Sequence, residues 1–139
     1  MKPLRLLLAD DHILVRAGLR ALLDGIEGIA VVAEADNGEQ AVALAVQHRP
    51  DIALLDITMP GMNGLQAAER ILRELPDTRV LILSMHAGDE YVTQALKLGV
   101  SGYLLKDAAT LELQAALEAV AGGATYLSPR ITGQLLQSK

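Results

Sequence analysis

The chain has no cysteine, no tryptophan and no phenylalanine, and its aromatic residues are three tyrosines among 139 residues. Without thiols, disulfides and thiolate chemistry are excluded and a reducing compartment is allowed, with the cytoplasm as the default location. Long apolar runs are missing too. The run that begins at Leu4 stops at Asp10-Asp11, too soon for a signal peptide, and no stretch approaches membrane-spanning length. A soluble protein with no membrane partner is expected. Basic excess is the last absence: the net charge is −5, and no Lys/Arg cluster is interleaved with aromatics. Such a segment repels phosphate backbones and should not bind nucleic acid by itself.

What is present is an apolar half, 51% of the residues, enough for one domain with a full core. The chain is organised around the stretch from Asp51 to Gly64. Ile52 to Leu55 is an unbroken apolar run, the pattern of a parallel strand covered on both faces, and it ends in Asp56. Met59-Pro60-Gly61 stops the strand and Asn63-Gly64 opens a loop, so Asp56 is expected at the carboxyl end of a central strand, where α/β sheets place ligands.

In chain order, Leu4 to Ala9 reads as a first strand running into Asp10-Asp11-His12. A helix follows over Ile13 to Leu23, with Val15, Leu19 and Leu22 inward and Arg16 and Arg20 on another face. Ile29 to Ala35 is a second strand, and Glu39 to His48 a helix ended by Arg49-Pro50. After the third strand, Leu65, Ala68, Leu72 and Leu75 mark a helix, and Val80 to Leu83 a fourth strand ending at Ser84. Asp89 to Leu98 is a weaker helix capped by Gly99. Gly102 to Leu105 is a fifth strand ending at Lys106, and a helix from near Thr110 runs to Gly122-Gly123. Five strands alternating with five helices imply an α/β domain with a parallel sheet. Ser128-Pro129, a capping residue followed by proline, starts a further short helix or linker.

Parallel strands point one way, so Asp10, Asp11, Asp56, Ser84 and Lys106 should share one rim. Singly, each has an ordinary explanation as a cap, a strand end or a surface charge; their coincidence points to a site. Clustered carboxylates repel unless a cation neutralises them, and an all-oxygen set suits Mg²⁺. The dispersal of His12, His48 and His86 argues against a transition-metal site. A carboxylate can attack phosphorus to give an aspartyl phosphate, for which Lys106 supplies charge and Ser84 a hydroxyl donor.

Leu8-Ala9-Asp10-Asp11-His12, Leu55-Asp56-Ile57-Thr58-Met59-Pro60 with Gly64, Leu83-Ser84-Met85-His86 and Gly102-Tyr103-Leu104-Leu105-Lys106-Asp107 together resemble the receiver domains of two-component response regulators. More narrowly they are similar to the NarL/FixJ type, which carries a LuxR-like helix-turn-helix after the receiver. The resemblance implies a flavodoxin-like, doubly wound (βα)5 fold with strand order 2-1-3-4-5. Asp56 would be the phosphoacceptor. Asp11 and Asp56 would hold Mg²⁺ with the main-chain carbonyl of Thr58, and Asp10 would act through water. Ser84 and Tyr103 would be the switch pair, Tyr103 turning inward when Ser84 moves to the phosphoryl group, and Lys106 the phosphate partner. The catalytic set is then Asp56, Lys106 and Ser84, and catalysis extends only to the domain's own phosphorylation and dephosphorylation. A histidine kinase is the implied donor, with a homodimer on phosphorylation, and DNA is bound only through a C-terminal domain outside this chain. Residues 1–121 would be the receiver and 122–139 a linker or extra helix leading to that domain. Two residues depart from the pattern: Ser84 stands where Thr is commoner, and Asp107 where many receivers have proline.

Other functions fit less well. A phosphatase using an aspartyl nucleophile commonly needs a second acid two residues on, where this chain has Thr58. A flavodoxin-like FMN carrier needs a Gly-rich loop after the first strand and aromatics to sandwich the flavin. A stand-alone receiver, acting by protein contacts or as a phosphorelay intermediate, keeps the same chemistry without the DNA output.

Overall fold

A computed structural model describes residues 2–85 and 88–137; His86 lies outside them. The elements are β1 (Leu4–Ala9), α1 (Ile13–Asp24), β2 (Ile29–Ala35), α2 (Gly38–His48), β3 (Ile52–Asp56), α3 (Gly64–Glu74), β4 (Arg79–Ser84), α4 (Asp89–Leu98), β5 (Gly102–Leu105), α5 (Ala109–Ala121), β6 (Tyr126–Leu127) and α6 (Pro129–Gln137). A 3-10 turn over Lys106–Ala108 joins β5 to α5. The sheet is parallel with order β2-β1-β3-β4-β5-β6. The five expected strands are all present in the expected order.

Alternation along the strands splits the core in two. Leu7, Leu55, Ile82 and Tyr103 face α2, α3 and α4, whereas Leu6, Leu54, Leu83 and Leu104 face α1 and α5. Leu54 and Leu55 are both fully buried, on opposite faces, and each contributes about 1.5–3 kcal/mol of burial. The unbroken apolar run of β3 is therefore the signature of its central place, and that place carries Asp56 to the middle of the rim.

Helix starts are fixed locally. The Asn37 side chain accepts from the Gln40 N–H, and Asn63 and Gln66 form a reciprocal capping box at the head of α3. Arg49 closes α2 in the left-handed region, φ 48°, because the following Pro50 disfavours a further helical residue. Gly64 begins α3 so close to β3 that a Cβ there would collide with the carbonyl of Asp56.

Two expectations are corrected. Val15 does not face the core but is 40% exposed, with Ile13 and Leu14 more so. The buried stripe of α1 runs through Leu19 and Leu23, and the inward place one turn earlier is taken by Arg16. Its guanidinium donates to the main-chain carbonyl of Asp10 (2.6 Å) and to Glu34 (3.2 Å). The second correction extends the sheet. After α5, the chain pairs with β5 as a sixth strand, Tyr126 beside Gly102 and Leu127 beside Tyr103, before entering the expected short helix α6. Ile131 of α6 is 1% exposed and joins the core that holds Tyr103.

Candidate functional site

Three strand ends meet at one point on the rim. Asp10 extends β1, its N–H donating to the Ala35 carbonyl, and its side chain is fully buried. Asp56 ends β3, 2% exposed, and its Oδ1 accepts from the Thr58 N–H at 3.3 Å. Lys106 follows β5 and reaches across, its Nζ 2.7 Å from Asp10 Oδ2 and 3.0 Å from Asp56 Oδ2. Asp11, half-buried, lies on the solvent side with His12. The sequence-predicted Asp10, Asp11, Asp56 and Lys106 are thus brought together, with Thr58 exposed beside them.

The electrostatics follow from burial. Desolvation pushes the Asp56 carboxyl above its ordinary value, although Lys106 pulls the other way. Burial alone would depress the Lys106 ammonium, but contact with Asp10 and Asp56 outweighs it and holds the ammonium above its usual range. One lysine faces three carboxylates. Asp10 Oδ2, Asp11 Oδ1 and Asp56 Oδ2 are buried with no donor in hydrogen-bonding alignment; the first two meet Lys106 and His12 only as close contacts of opposite charge or of ring nitrogen to oxygen, and the third meets Lys106 likewise. Oxygens of this kind are what a hard divalent cation needs, so the residues fit Mg²⁺, which would supply the missing positive charge. Ligand atoms from Asp10, Asp11, His12 and Asp56 all lie within 4.8 Å of one another.

Ser84 ends β4 fully buried and shares a side-chain hydrogen bond with Tyr103. The Tyr103 ring is itself fully buried, and that burial raises its hydroxyl pKa. The inward position expected only after phosphorylation is therefore already occupied in this structure. Asp107 is exposed and pairs with Arg130 of α6 at 3.4 Å.

Sequence reasoning missed a second cluster next door. Ser128 Oγ accepts from the Leu105 N–H (3.0 Å) and donates to Glu112 Oε1 (2.9 Å), which also accepts from the Tyr126 hydroxyl (2.7 Å). Ser128 was legible as a cap, and its carbonyl does accept from Ile131 and Thr132, but its hydroxyl clasps β5 and α5 instead. Arg16 was missed as well, because its spacing put it on a face apart from Val15, Leu19 and Leu22.

A buried carboxylate flanked by an acidic pair and a lysine, at the carboxyl ends of a parallel sheet of order β2-β1-β3-β4-β5-β6, is the arrangement that the resemblance to receiver domains implies. The chain belongs to the response regulator receiver domain family, whose model matches residues 6–118. It is 40% identical over 134 residues to the transcriptional regulatory protein DegU of Brevibacillus brevis, covering 96% of this chain and 57% of DegU. Among solved structures it resembles a LuxR-family two-component response regulator from Aurantimonas sp. SI85-9A1, with a TM-score of 0.94, 36% identity and coverage of 99% of this chain and 98% of that one. It also resembles the signal receiver domain of a NarL response regulator from Mycobacterium tuberculosis, with a TM-score of 0.83, 43% identity and coverage of 88% of this chain and 99% of that one. The chain spans little more than half the length of DegU. No helix among the described residues is long and apolar enough to cross a membrane.

Proposed function

We propose that Asp56 accepts a phosphoryl group from a phosphohistidine of a histidine kinase, and that the domain is the switch of a two-component system. The observation that carries this is the place of Asp56, buried at the end of the central strand with Lys106 Nζ 3.0 Å away. A carboxylate oxygen of Asp56 forms the bond to phosphorus while the phosphorus–nitrogen bond of the donor breaks, its electron pair returning to the imidazole. Asp11, Asp56 and the Thr58 carbonyl would hold Mg²⁺, with Asp10 acting through water, and the ion would neutralise charge on the transferring group. Lys106 and the Ser84 hydroxyl bind the phosphoryl oxygens. When Ser84 turns to that group its bond to Tyr103 changes, which alters the surface around α4 and β5. The domain then catalyses only its own phosphorylation and dephosphorylation.

In the whole protein the output is transcriptional, through a LuxR-type DNA-binding domain, and phosphorylation favours a homodimer. The names borne by DegU and the Aurantimonas regulator support the transcriptional, LuxR-type output, and the −5 charge of the chain leaves DNA contact to another domain. A cytoplasmic location accords with that role. The experiment is incubation with Mg²⁺ and acetyl phosphate, followed by intact mass and peptide mapping. One added phosphoryl mass on Asp56, lost in Asp56→Asn, is expected; equal labelling of the two proteins defeats the assignment.

A further inference from the structure

The ring of His12 makes one hydrogen bond in the fold, from Nδ1 to Asp10 Oδ1 at 3.2 Å. It stands at the N-terminal cap of α1, where its side chain makes no capping hydrogen bond, and it is 58% exposed, so it packs against little. It is nevertheless held in one place. The His12 N–H donates to Asp10 Oδ1 at 2.9 Å, a tight turn that folds the ring back over the carboxylates. Nδ1 then lies 3.2 Å from Asp10 Oδ1, 3.1 Å from Asp11 Oδ1 and 4.0 Å from Asp56 Oδ2.

These separations are informative. A single proton on Nδ1 serves one strong acceptor, and a charge-assisted bond to a carboxylate closes to about 2.7–2.9 Å. Here Nδ1 makes a longer hydrogen bond to Asp10 Oδ1 and stands as close to Asp11 Oδ1 without bonding it. Octahedral bonds of about 2.1 Å place neighbouring ligands about 3.0 Å apart and opposite ones about 4.2 Å apart. For the two aspartates that would hold the ion directly, the Nδ1 distance to Asp11 corresponds to the first value and that to Asp56 to the second. Lys106 approaches Asp10 through Oδ2, which leaves Oδ1 on the His12 side. Asp11 Oδ1 and Asp56 Oδ2, the oxygens of those residues that face Nδ1, are buried with no hydrogen-bond partner.

Resting on the reading of this rim as a divalent-cation site, we infer that His12 Nδ1 is an additional ligand, and that it turns the site toward first-row transition ions such as Mn²⁺ and Co²⁺ relative to Mg²⁺. The chemical reason is that Mg²⁺ prefers oxygen and holds its waters, whereas imidazole nitrogen strengthens binding of Mn²⁺ and of the ions after it in the series. The wide spacing of the three histidines in sequence hides this, because the partners of His12 are aspartates and not other histidines.

The test loads the 139-residue protein with Mn²⁺ and records pulsed electron paramagnetic resonance, with calorimetric titration of Mn²⁺ and Mg²⁺ into wild type, His12→Ala and His12→Asn. Nitrogen modulation from a bound imidazole is expected in the wild type and absent in both variants. The ratio of Mn²⁺ to Mg²⁺ affinity should fall about tenfold or more in His12→Ala, the scale on which changes around metal sites act. No nitrogen coupling in the wild type, coupling that survives in His12→Ala, or an unchanged affinity ratio would each overturn the inference. Phosphoryl labelling of the wild type with Mg²⁺ is scored separately: its failure defeats the receiver chemistry, while the nitrogen signal still decides the role of His12.

Discussion

The Ser128 hydroxyl accepts the main-chain N–H of Leu105 at 3.0 Å, one residue before Lys106. The segment after α5 is thereby fastened to the strand that delivers the lysine to the site. The Ser128 N–H adds a bond to the Tyr103 carbonyl, and Glu112 gathers the Ser128 and Tyr126 hydroxyls. Ser128→Ala leaves a buried Leu105 N–H without its acceptor, which costs about 1–3 kcal/mol. Urea unfolding should show the midpoint falling with the slope unchanged. Tyr126→Phe removes only a half-buried bond and should cost less, about 0.5–1.5 kcal/mol. Because both hydroxyls meet the same Glu112 oxygen, the double variant should depart from additivity.

The same clasp gives an alkaline signature. Burial and the neighbouring Glu112 push the Tyr126 hydroxyl up to about 12, above its unfolded value near 10. A raised pKa means that the folded state holds the proton more tightly. The contribution to stability is complete below pH ~10 and is lost as pH rises through about 12. Absorbance titration near 295 nm should contain a late tyrosinate step that Tyr126→Phe removes. The variant should also lose less stability than the wild type across that window.

Asp56 acts in the same sense in a lower pH window, so that its cost is already present at neutral pH. Burial raises its pKa, with Lys106 only partly offsetting the effect, so stability falls as pH climbs from the ordinary carboxylate value through the folded one. In metal-free protein at pH 7, Asp56→Asn should therefore raise the melting temperature, since Lys106 keeps Asp10 at 2.7 Å. Mg²⁺ at a hundredfold excess over its dissociation constant should add about 2–3 kcal/mol to the wild type through linkage, and less to the variant. Calorimetric scans with and without metal check both signs.

The architecture was legible because its signals are local and repeated. The apolar run Ile52 to Leu55 announced a doubly covered strand, and polar residues at successive strand ends announced the rim. Side-chain direction was less legible. A helical wheel puts Val15 and Leu19 on one face, yet Arg16 takes the inward place because Asp10 and Glu34 offer it acceptors. The Tyr126–Leu127 strand was hidden because two residues carry no period, and its stability comes from pairing with Gly102 and Tyr103. The rotamer of Tyr103 depends on the space beside Ser84, and that is a property of packing alone.

Two glycines supply a test in which the sign itself is diagnostic. Gly18 lies inside α1 with nothing within 4 Å of an added Cβ. Gly18→Ala therefore meets no obstacle and reduces the freedom of the unfolded chain, so it should stabilise by about 0.5–1 kcal/mol. Gly64 starts its helix against the carbonyl of Asp56 and the Cα of Ile57, both main-chain atoms that cannot swing aside. Its N–H also donates to the Ile57 carbonyl at 2.9 Å, which ties the helix start to the strand end. Gly64→Ala must push α3 off β3 at Asp56, the proposed phosphoacceptor, and overpacking of this kind costs about 1–3 kcal/mol. Urea midpoints should move in opposite directions for the two variants. The Asp56 labelling rate should fall for Gly64→Ala and stay near wild type for Gly18→Ala. Equal shifts in stability would mean that α3 does not depend on its close approach to β3 to hold Asp56 in place.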